Sequence, residues 1–215
     1  MRPVICMITA SVPATADEER TLVQRVGAAA RAGVHVIQVR QLQLEGSALT
    51  RVVEGSVRAA KGTAARILVN DRVDVALATG AHGVHLRGDS MSAARVRGIA
   101  PGAFVIGRSV HSPDEAVRLA QDGDLDYLIF GTVFKTSSKP GVAGEGLAAL
   151  AAACAASALP VLAVGGMTPP RLGEVARAGA AGFAAIGLFA DGPLDAMALA
   201  VQQVSSAFDT SGRVP

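Results

Sequence analysis

Short apolar runs alternate with longer amphipathic runs along almost the whole chain. The short runs are rich in Val and Ile and nearly continuous, which is typical of strands buried on both faces of a sheet. The longer runs repeat apolar residues at helical spacing. The predicted strands are Val4–Thr9, Val34–Arg40, Ile67–Asn70, Gly83–Leu86, Val105–Ser109, Tyr127–Phe130, Val161–Val164 and Phe183–Ile186. The predicted helices are Asp17–Ala32, Ser47–Gly62, Arg72–Thr79, Ser92–Ile99, Pro113–Gln121, Gly146–Ala156, Pro170–Ala178 and Pro193–Phe208.

Eight strand–helix units within 215 residues predict an α/β fold. Strands that alternate with helices pair in parallel through right-handed crossovers. Eight such units fit a single (β/α)8 TIM barrel with a parallel eight-stranded core, a fold that needs at least about 200 residues. A doubly wound open sheet is the main alternative. We expect one domain over residues 1–208 and a frayed C-terminal tail over residues 209–215.

A weak internal repeat favours the closed barrel. The segments RAGVHVIQV, ATGAHGVHL, AQDGDLDYLIF and RAGAAGFAAI each lead from a helix end into a strand. Their glycines recur at intervals of about two strand–helix units, which indicates quarter-barrels. Each glycine is expected to end a helix and begin a short turn. These glycines are Gly33, Gly80, Gly123 and Gly179.

Composition excludes several classes of function. The net charge is +2 and aromatic residues make up 3% of the chain, so the charged and stacking surfaces of a nucleic-acid binder are not expected. The most apolar stretch, Leu147–Val164, is divided by Pro160 and predicts a helix and a strand rather than a membrane span. Cys6 and Cys154 lie too far apart for a metal motif and suit a reducing, cytoplasmic location. The Ala-rich helices are compatible with a homo-oligomer.

Polar residues cluster after the predicted strands, while the loops before the strands are short and rich in Ala and Gly. In a barrel, the carboxyl ends of the strands form the mouth that holds the active site. This asymmetry favours an enzyme over a purely structural protein. The polar candidates at the mouth are Arg40, Asn70, Asp71, Arg87, Asp89, Ser109, His111, Thr132, Thr136 and Lys139.

Glycines after the last two strands predict a phosphate site. Gly165 and Gly166 follow the seventh strand, and Gly187 and Leu188 follow the eighth. Glycine lets backbone N–H groups approach an anion closely, and the following helix N-termini add a favourable dipole. The loops after these two strands form the usual phosphate site of TIM barrels. We therefore expect a small phosphorylated ligand.

Four segments resemble the family of thiamine phosphate synthases and TenI proteins. These are ILVNDRVDVALATGAHGVHL, IGRSVHSPDEA, DYLIFGTVFKTSSKPG and LPVLAVGGMTPPRLGEVARAGAAGFAAIG, and the match runs from about Val34 to Phe189. The resemblance implies a TIM barrel and two candidate activities. A synthase joins a pyrimidine pyrophosphate to a thiazole phosphate and releases pyrophosphate. A TenI-like tautomerase aromatises a thiazole phosphate carboxylate.

The sequence departs from both branches of that family. Where the synthase pattern has a lysine after the second strand, this chain has Leu42, and Ser90 stands in the place of a Mg²⁺-binding aspartate. Where the tautomerase pattern has a proton-transferring histidine, this chain has Thr132, whose hydroxyl is a poor base near neutral pH. Arg87 and Asp89 are candidates to replace the two missing charges. The residues that match the synthase pattern are Gln38, Arg40, Asn70, Asp71, Ser109 and Lys139. The thiazole phosphate pocket, which both branches share, is retained best.

These departures favour a TenI-like enzyme that needs no cofactor and binds a thiazole phosphate. Its catalytic candidates are Thr132, His111 and Arg40. Its binding candidates are Gln38, Arg40, Asn70, Ser109, Thr136, Lys139, Gly165, Gly166, Gly187 and Leu188. The first alternative is a Mg²⁺-dependent synthase, with Asp71 and Asp89 as metal ligands and a pyrimidine pyrophosphate as second substrate. The other two are a catalytically silent thiazole-phosphate binder and a different phosphate barrel, such as an epimerase.

Ordinary structural roles compete with some of these assignments. His85 lies within a strand and is expected to be a hydrogen-bonded core residue. His35 and His82 lie before strands, at the end of the barrel opposite the mouth. Asp71 is also placed to cap the helix predicted to begin at Arg72, and Ser112 to cap the helix after His111.

Overall fold

The computed structural model describes residues 3–11, 15–136, 141 and 143–209. Eight parallel strands pair in sequence order, and β1 pairs with β8 to close the barrel. The strands are β1 Val4–Ile8, β2 Val36–Val39, β3 Arg66–Asn70, β4 Gly83–Leu86, β5 Val105–Val110, β6 Tyr127–Phe130, β7 Val161–Val164 and β8 Gly182–Ala185. The helices are α1 Ala16–Arg31, α2 Gly46–Ala59, α3 Val73–Ala78, α4 Ala93–Arg97, α5 Pro113–Gln121, α6 Gly146–Ala156, α7 Pro169–Arg177, α8 Gly187–Ala190 and α9 Met197–Asp209. The predicted TIM barrel is confirmed, and the open sheet is excluded.

Alternate side chains of each strand serve two apolar layers. One row points outward and packs under the helices, with Ile37, Ile67 and Phe183 among its fully buried members. The other row fills the barrel interior, where Cys6, Leu68 and other small or branched side chains pack together. None of the helices within the described residues is both long and apolar enough to cross a membrane.

The C-terminal region differs from the sequence prediction. The predicted helix Pro193–Phe208 is a 3₁₀ turn, Leu194–Ala196, followed by α9. Asp209, assigned to the tail, is the last residue of α9, and residues 210–215 lie outside the described part of the chain. The four-residue helix α8 was not predicted because a single turn shows no hydrophobic periodicity.

The internal repeat corresponds to a repeated hydrogen-bond pattern at the bottom of the barrel. The residue before each of β2, β4 and β6 forms two hydrogen bonds with one residue of the preceding strand. Its backbone N–H donates to the carbonyl oxygen of that residue, and its side chain accepts the backbone N–H of that residue. Ile5 N donates to His35 Nδ1 at 3.1 Å, Ile67 N to His82 Nδ1 at 3.0 Å, and Ile106 N to an Asp126 carboxylate oxygen at 2.6 Å. In the fourth copy, Ala181 makes only the backbone bond. The two histidines are therefore structural, as expected.

The repeated glycines end helices as predicted. Gly33, Gly80, Gly123 and Gly179 all have positive φ, between 65° and 96°, a region that only glycine enters without strain. At the other ends of the helices, Ser112 caps α5 by accepting a hydrogen bond from Glu115 N at 3.2 Å. Pro113 follows it, and proline is well suited to the first position of a helix.

Candidate active site

A cavity of about 490 Å³ opens at the carboxyl end of the barrel. Its floor is apolar, with Ile8 and Ile129 among the lining residues, and its walls carry most of the polar residues selected from the sequence. Nine of the polar residues selected from the sequence line it, together with Gly165. These nine are Gln38, Arg40, Asn70, Arg87, Asp89, Ser109, His111, Thr132 and Thr136.

A second cavity of about 380 Å³ lies between the loops after β7 and β8. It shares Thr136 and Gly165 with the first cavity, so the two form one continuous depression. Gly166 and Gly187 line it as predicted, and Arg171 contributes a cation that the sequence analysis missed. Leu188, assigned to the phosphate site, does not line it; its side chain packs on the hydrophobic core. Lys139 lies outside the described residues.

The glycine pair after β7 is required by its backbone geometry. Gly165 has φ 101° and Gly166 has φ 64°. A Cβ on Gly166 would lie 2.6 Å from the carbonyl oxygen of Lys135, and one on Gly165 would lie 2.4 Å from Thr132 Cγ2. Arg171 fixes this loop, since its guanidinium donates to Gly166 O at 2.7 Å and stacks on the Phe134 ring. The loop is therefore held before any ligand binds.

Gly187 differs from this pair because nothing crowds its Cα. A Cβ there would meet no atom within 4 Å. The turn that follows is held from the other side by Arg25 of α1. That guanidinium donates to Phe189 O at 3.2 Å and to Gly192 O at 2.9 Å, which satisfies carbonyls at the end of α8. Gly187 therefore combines open space at its Cα with a position in the lining of the second cavity.

Two buried amides stand side by side at the cavity wall. Gln38 is 2% exposed and Asn70 is 7% exposed. Gln38 Nε2 donates to Asn70 Oδ1 at 2.8 Å. Gln38 Oε1 is buried and has no hydrogen-bond partner among the described residues. A buried acceptor without a partner is costly, and Gln38 is among the residues that line the cavity.

His85 lies next to Asn70 in the register of β3 and β4 and is buried. Its Nδ1 lies 3.0 Å from the Tyr127 hydroxyl, and its Nε2 lies 2.9 Å from Ser109 Oγ. Burial, with a smaller contribution from the nearby Arg108 cation, lowers the pKa of His85 to about 3. The expected hydrogen-bonded core role is confirmed, but His85 also lines the cavity.

Asp71 does not cap a helix as considered from the sequence. It has φ 63°, and the residue that precedes α3 is Arg72, whose side chain makes no capping bond. The Asp71 carboxylate instead contacts the Ser90 hydroxyl and lies 3.3 Å from Arg87 Nε. Arg87 Nη2 also lies 3.0 Å from Asp89. One guanidinium therefore joins the two predicted metal ligands.

The carboxylates of Asp71 and Asp89 meet the requirements of a Mg²⁺ site. Mg²⁺ is held by one or two carboxylates together with substrate phosphates and water. Asp71 and Asp89 supply two such carboxylates. They lie close enough together for the guanidinium of Arg87 to contact both. Among the described residues, no group of three or more His, Cys, Asp or Glu side chains converges as a ready-made metal cage. The residues thus fit an ion that the substrate helps to bind.

Two further predicted residues have defined environments at the mouth. His111 Nδ1 contacts the carbonyl oxygen of Gly131, so Nδ1 carries a proton, and Nε2 is an acceptor whenever the ring holds only that proton. The backbone N–H of Arg40 donates to Thr9 Oγ1 at 2.9 Å. The Arg40 guanidinium makes no hydrogen bond or ion pair with the part of the chain that the structure describes. It is therefore a cation available to an anionic ligand.

Arg108, which was not among the predicted site residues, holds the loop that carries Arg87 and Asp89. Arg108 lies on β5 and is 7% exposed. Its guanidinium donates to the carbonyl oxygens of Gly88, Ser90 and Met91 at 3.0 to 3.1 Å. The available signal was an arginine inside a buried strand, where an unpaired charge is costly.

Replacing Arg108 with methionine is expected to loosen this loop. Three carbonyl groups would lose their donor, so we expect the free energy of unfolding to fall by about 1–3 kcal/mol and amide exchange to accelerate over residues 88–91. Arg97→Met is the matched control, because Arg97 donates to Phe104 O, Asp124 O and Asp126 at the opposite end of the barrel. It should lower stability without affecting exchange in the loop. Equal loop exchange in both variants would contradict the assignment.

Comparison with known proteins agrees with this geometry. A sequence model of the family described as thiamine monophosphate synthase matches residues 6–189. The chain is 37% identical over 185 residues to the thiamine-phosphate synthase of Chlorobium luteolum, covering 86% of this chain and 84% of that protein. It is also 37% identical over 201 residues to the thiamine-phosphate synthase of Methanoculleus marisnigri, covering 93% and 95%. The chain belongs to the thiamine monophosphate synthase family.

Structural comparison supports the same family assignment. The thiamine phosphate pyrophosphorylase of Pyrococcus furiosus superposes with a TM-score of 0.81 at 27% identity, covering 97% of this chain and 96% of that one. The resemblance noted from about Val34 to Phe189 is confirmed, and the family match begins earlier, within β1. As a member of the thiamine monophosphate synthase family, the chain is an enzyme of thiamine biosynthesis.

Proposed function

We propose that this chain is a thiamine-phosphate synthase, which joins a pyrimidine pyrophosphate to a thiazole phosphate. The observation that carries the proposal is the buried, unpartnered Gln38 Oε1 at the cavity wall. The pyrimidine half of thiamine has an exocyclic amino group that would donate to this oxygen, whereas a thiazole ring offers no such donor. The names of the relatives support this choice over the TenI-like reading favoured from the sequence.

The reaction exchanges one bond for another at the pyrimidine methylene carbon. The carbon–oxygen bond to the pyrophosphate breaks, and the leaving group takes the bonding electron pair. The thiazole nitrogen supplies a lone pair and forms the new carbon–nitrogen bond. No proton transfer is required in this exchange. The protein must therefore hold the two rings in line and stabilise negative charge on the leaving group.

Each part of the substrates has a matching region of the site. The loops with Gly166 and Gly187 would bind the thiazole phosphate through backbone N–H groups. Gln38 and Ser109 would hold the pyrimidine. Arg40, whose guanidinium is unpaired within the described residues, and Arg87 would face the pyrophosphate, where cations stabilise the leaving group.

The acidic pair at the mouth would hold Mg²⁺ in this function. When bound by Asp71 and Asp89 together with the pyrophosphate, the ion would supply positive charge to the leaving group. Arg87 contacts both carboxylates and would give up these ion pairs to the ion. Asp89 is the more exposed ligand, with 75% of its side chain accessible, against 29% for Asp71.

The proposal is tested by mixing the purified protein with both substrates and Mg²⁺ and measuring thiamine phosphate. We expect product that is lost with a chelator and reduced at least about tenfold in Asp89→Asn, since one charged ligand can contribute more than 1.4 kcal/mol. Asp74→Asn is the matched control, because Asp74 is also exposed and arginine-paired but lies outside the cavities. An absence of product, with thiazole phosphate still bound, would leave a tautomerase or a silent binder.

The thiazole tautomerase remains a second candidate because of His111. His111 lines the cavity, and its Nδ1 donates to Gly131 O. Its Nε2 would then be the atom that acts as the base. Thr132 also lines the cavity but is 6% exposed and offers only a hydroxyl. In this function His111→Gln would abolish aromatisation of the thiazole carboxylate. Condensation needs no base and should survive that substitution.

A further inference from the structure

Two buried side chains and the partly buried Ser109 form a continuous hydrogen-bonded relay from the barrel interior to the cavity. Tyr127 projects into the interior from β6, His85 from β4 and Ser109 from β5. The phenol lies 3.0 Å from His85 Nδ1, and Ser109 Oγ lies 2.9 Å from His85 Nε2. Ser109 and His85 line the cavity, while Tyr127 does not. None of these bonds is needed to close the barrel.

The polarity of this relay has only two possible settings. The neutral imidazole carries one ring proton, because burial lowers the pKa of His85 to about 3. In the first setting Tyr127 donates to Nδ1, and Nε2–H donates to Ser109. In the second setting Ser109 donates to Nε2, and Nδ1–H donates to the phenol oxygen.

The Tyr127 proton decides between the two settings. The contact with His85 is the only hydrogen bond that the Tyr127 hydroxyl makes with a described residue, and burial raises the pKa of that phenol well above its usual value. In the second setting the buried phenol proton would therefore have no acceptor, which is costly. In the first setting the phenol proton and the imidazole proton both have acceptors, and the Ser109 proton is left available for a ligand.

We propose that Tyr127 is a positioning residue that fixes His85 as the Nε2–H tautomer and thereby makes Ser109 a hydrogen-bond donor to the ligand. The cavity then presents an acceptor, Gln38 Oε1, and a donor, Ser109 Oγ–H. An aminopyrimidine carries the complementary pair, an amino donor and a ring-nitrogen acceptor. The identity of this ligand rests on the proposed function, whereas the tautomer does not.

The surrounding barrel is built to admit the phenol. A Cβ on Gly107 would lie 2.1 Å from Tyr127 Cζ, so only glycine at that position of β5 leaves room for the ring. The Tyr127 and His85 ring centroids are 5.7 Å apart. Arg108, on the outer face of β5, also disfavours a proton on His85 through its positive charge. The neutral ring therefore persists over the pH range of an assay.

The tautomer is measured by ¹⁵N NMR of the histidine rings at pH 8. Three other histidines give internal references: Nδ1 of His35 and His82 accepts a backbone N–H, whereas Nδ1 of His111 donates. We expect His85, assigned from its absence in His85→Gln, to match the pattern of His35 and His82. A match to His111 in the wild-type protein would overturn the proposal.

Two variants separate the role of Tyr127 from that of Ser109. Tyr127→Phe keeps the ring but removes the donor, so we expect a mixed His85 tautomer and an increase of about two- to tenfold in the Kd for the pyrimidine pyrophosphate by calorimetry. Ser109→Ala should weaken the same binding but leave the Nε2–H tautomer intact. A tautomer that shifts in Ser109→Ala and not in Tyr127→Phe would overturn the proposal.

The two proposals fail in different ways. If the wild-type protein does not bind the pyrimidine pyrophosphate, the proposed function fails, and the relay is judged on the tautomer alone. If the wild-type protein binds it and Tyr127→Phe has an unchanged Kd, the relay does not position Ser109 for this ligand, whatever the condensation rate.

Discussion

Replacing Gln38 with leucine is expected to lower kcat/KM for the pyrimidine pyrophosphate by about 10- to 100-fold. The substitution removes the buried Oε1 acceptor and leaves the amino group of the ligand without its partner. A buried polar group that loses its partner costs about 1–3 kcal/mol. The leucine would also remove the hydrogen bond that Gln38 Nε2 donates to Asn70 Oδ1 at 2.8 Å.

The kinetics of the two substrates provide the control for Gln38→Leu. The KM for thiazole phosphate should stay within about twofold, because that ligand is expected near Gly166 and Gly187 rather than beside Gln38. Steady-state rates with each substrate varied in turn would show the difference. A melting temperature close to wild type would show that the loss is not due to unfolding. Equal losses for both substrates would place Gln38 outside the pyrimidine subsite.

Replacing Gly166 with alanine is expected to disrupt both the phosphate site and the fold around it. Alanine at φ 64° is strained, and its Cβ would lie 2.6 Å from the backbone oxygen of Lys135. Strain and clashes of this kind cost about 1–3 kcal/mol. For a chain of this size we expect a fall in melting temperature of roughly 2–12 °C. The KM for thiazole phosphate should rise at least about tenfold as the loop shifts.

Gly187→Ala is the matched variant for Gly166→Ala. Its Cβ would meet no protein atom within 4 Å, and φ at Gly187 is not positive. We expect an unchanged melting temperature but a higher Kd for thiazole phosphate, because the new methyl group would occupy the approach to the backbone N–H groups. Calorimetry with thiazole phosphate and thermal unfolding of both variants make the comparison. Unchanged binding in Gly187→Ala would move the phosphate away from this loop.

The sequence determined the architecture because barrel formation depends on local patterns. The strands Gly83–Leu86, Tyr127–Phe130 and Val161–Val164 and the helices Pro113–Gln121 and Gly146–Ala156 have the predicted bounds. Each is a run of one periodicity between clear turn residues. Once eight units alternate, parallel pairing places every strand end at one mouth. Most of the polar residues that follow the predicted strands therefore line the cavity.

The roles of those residues could not be predicted from the chain in the same way. His85 was expected to be a core histidine, and only the strand register, which pairs His85 with Gly107, brings its ring between Tyr127 and Ser109. From the sequence, a helix cap and a metal ligand were equally good interpretations of Asp71. Only the conformation of the β3–α3 turn shows that its carboxylate contacts Arg87 and Ser90.

The sequence by itself determined the barrel, the family and the mouth at which the ligand would bind. These follow from periodicity, from turn glycines and from motifs that are continuous along the chain. Tertiary structure alone decided that Gln38 Oε1 lacks a partner among the described residues, that Arg108 holds the loop bearing Asp89, and that one guanidinium joins Asp71 to Asp89. Hydrogen bonds and ion pairs between distant residues depend on strand register and loop shape, which are fixed only when the barrel closes.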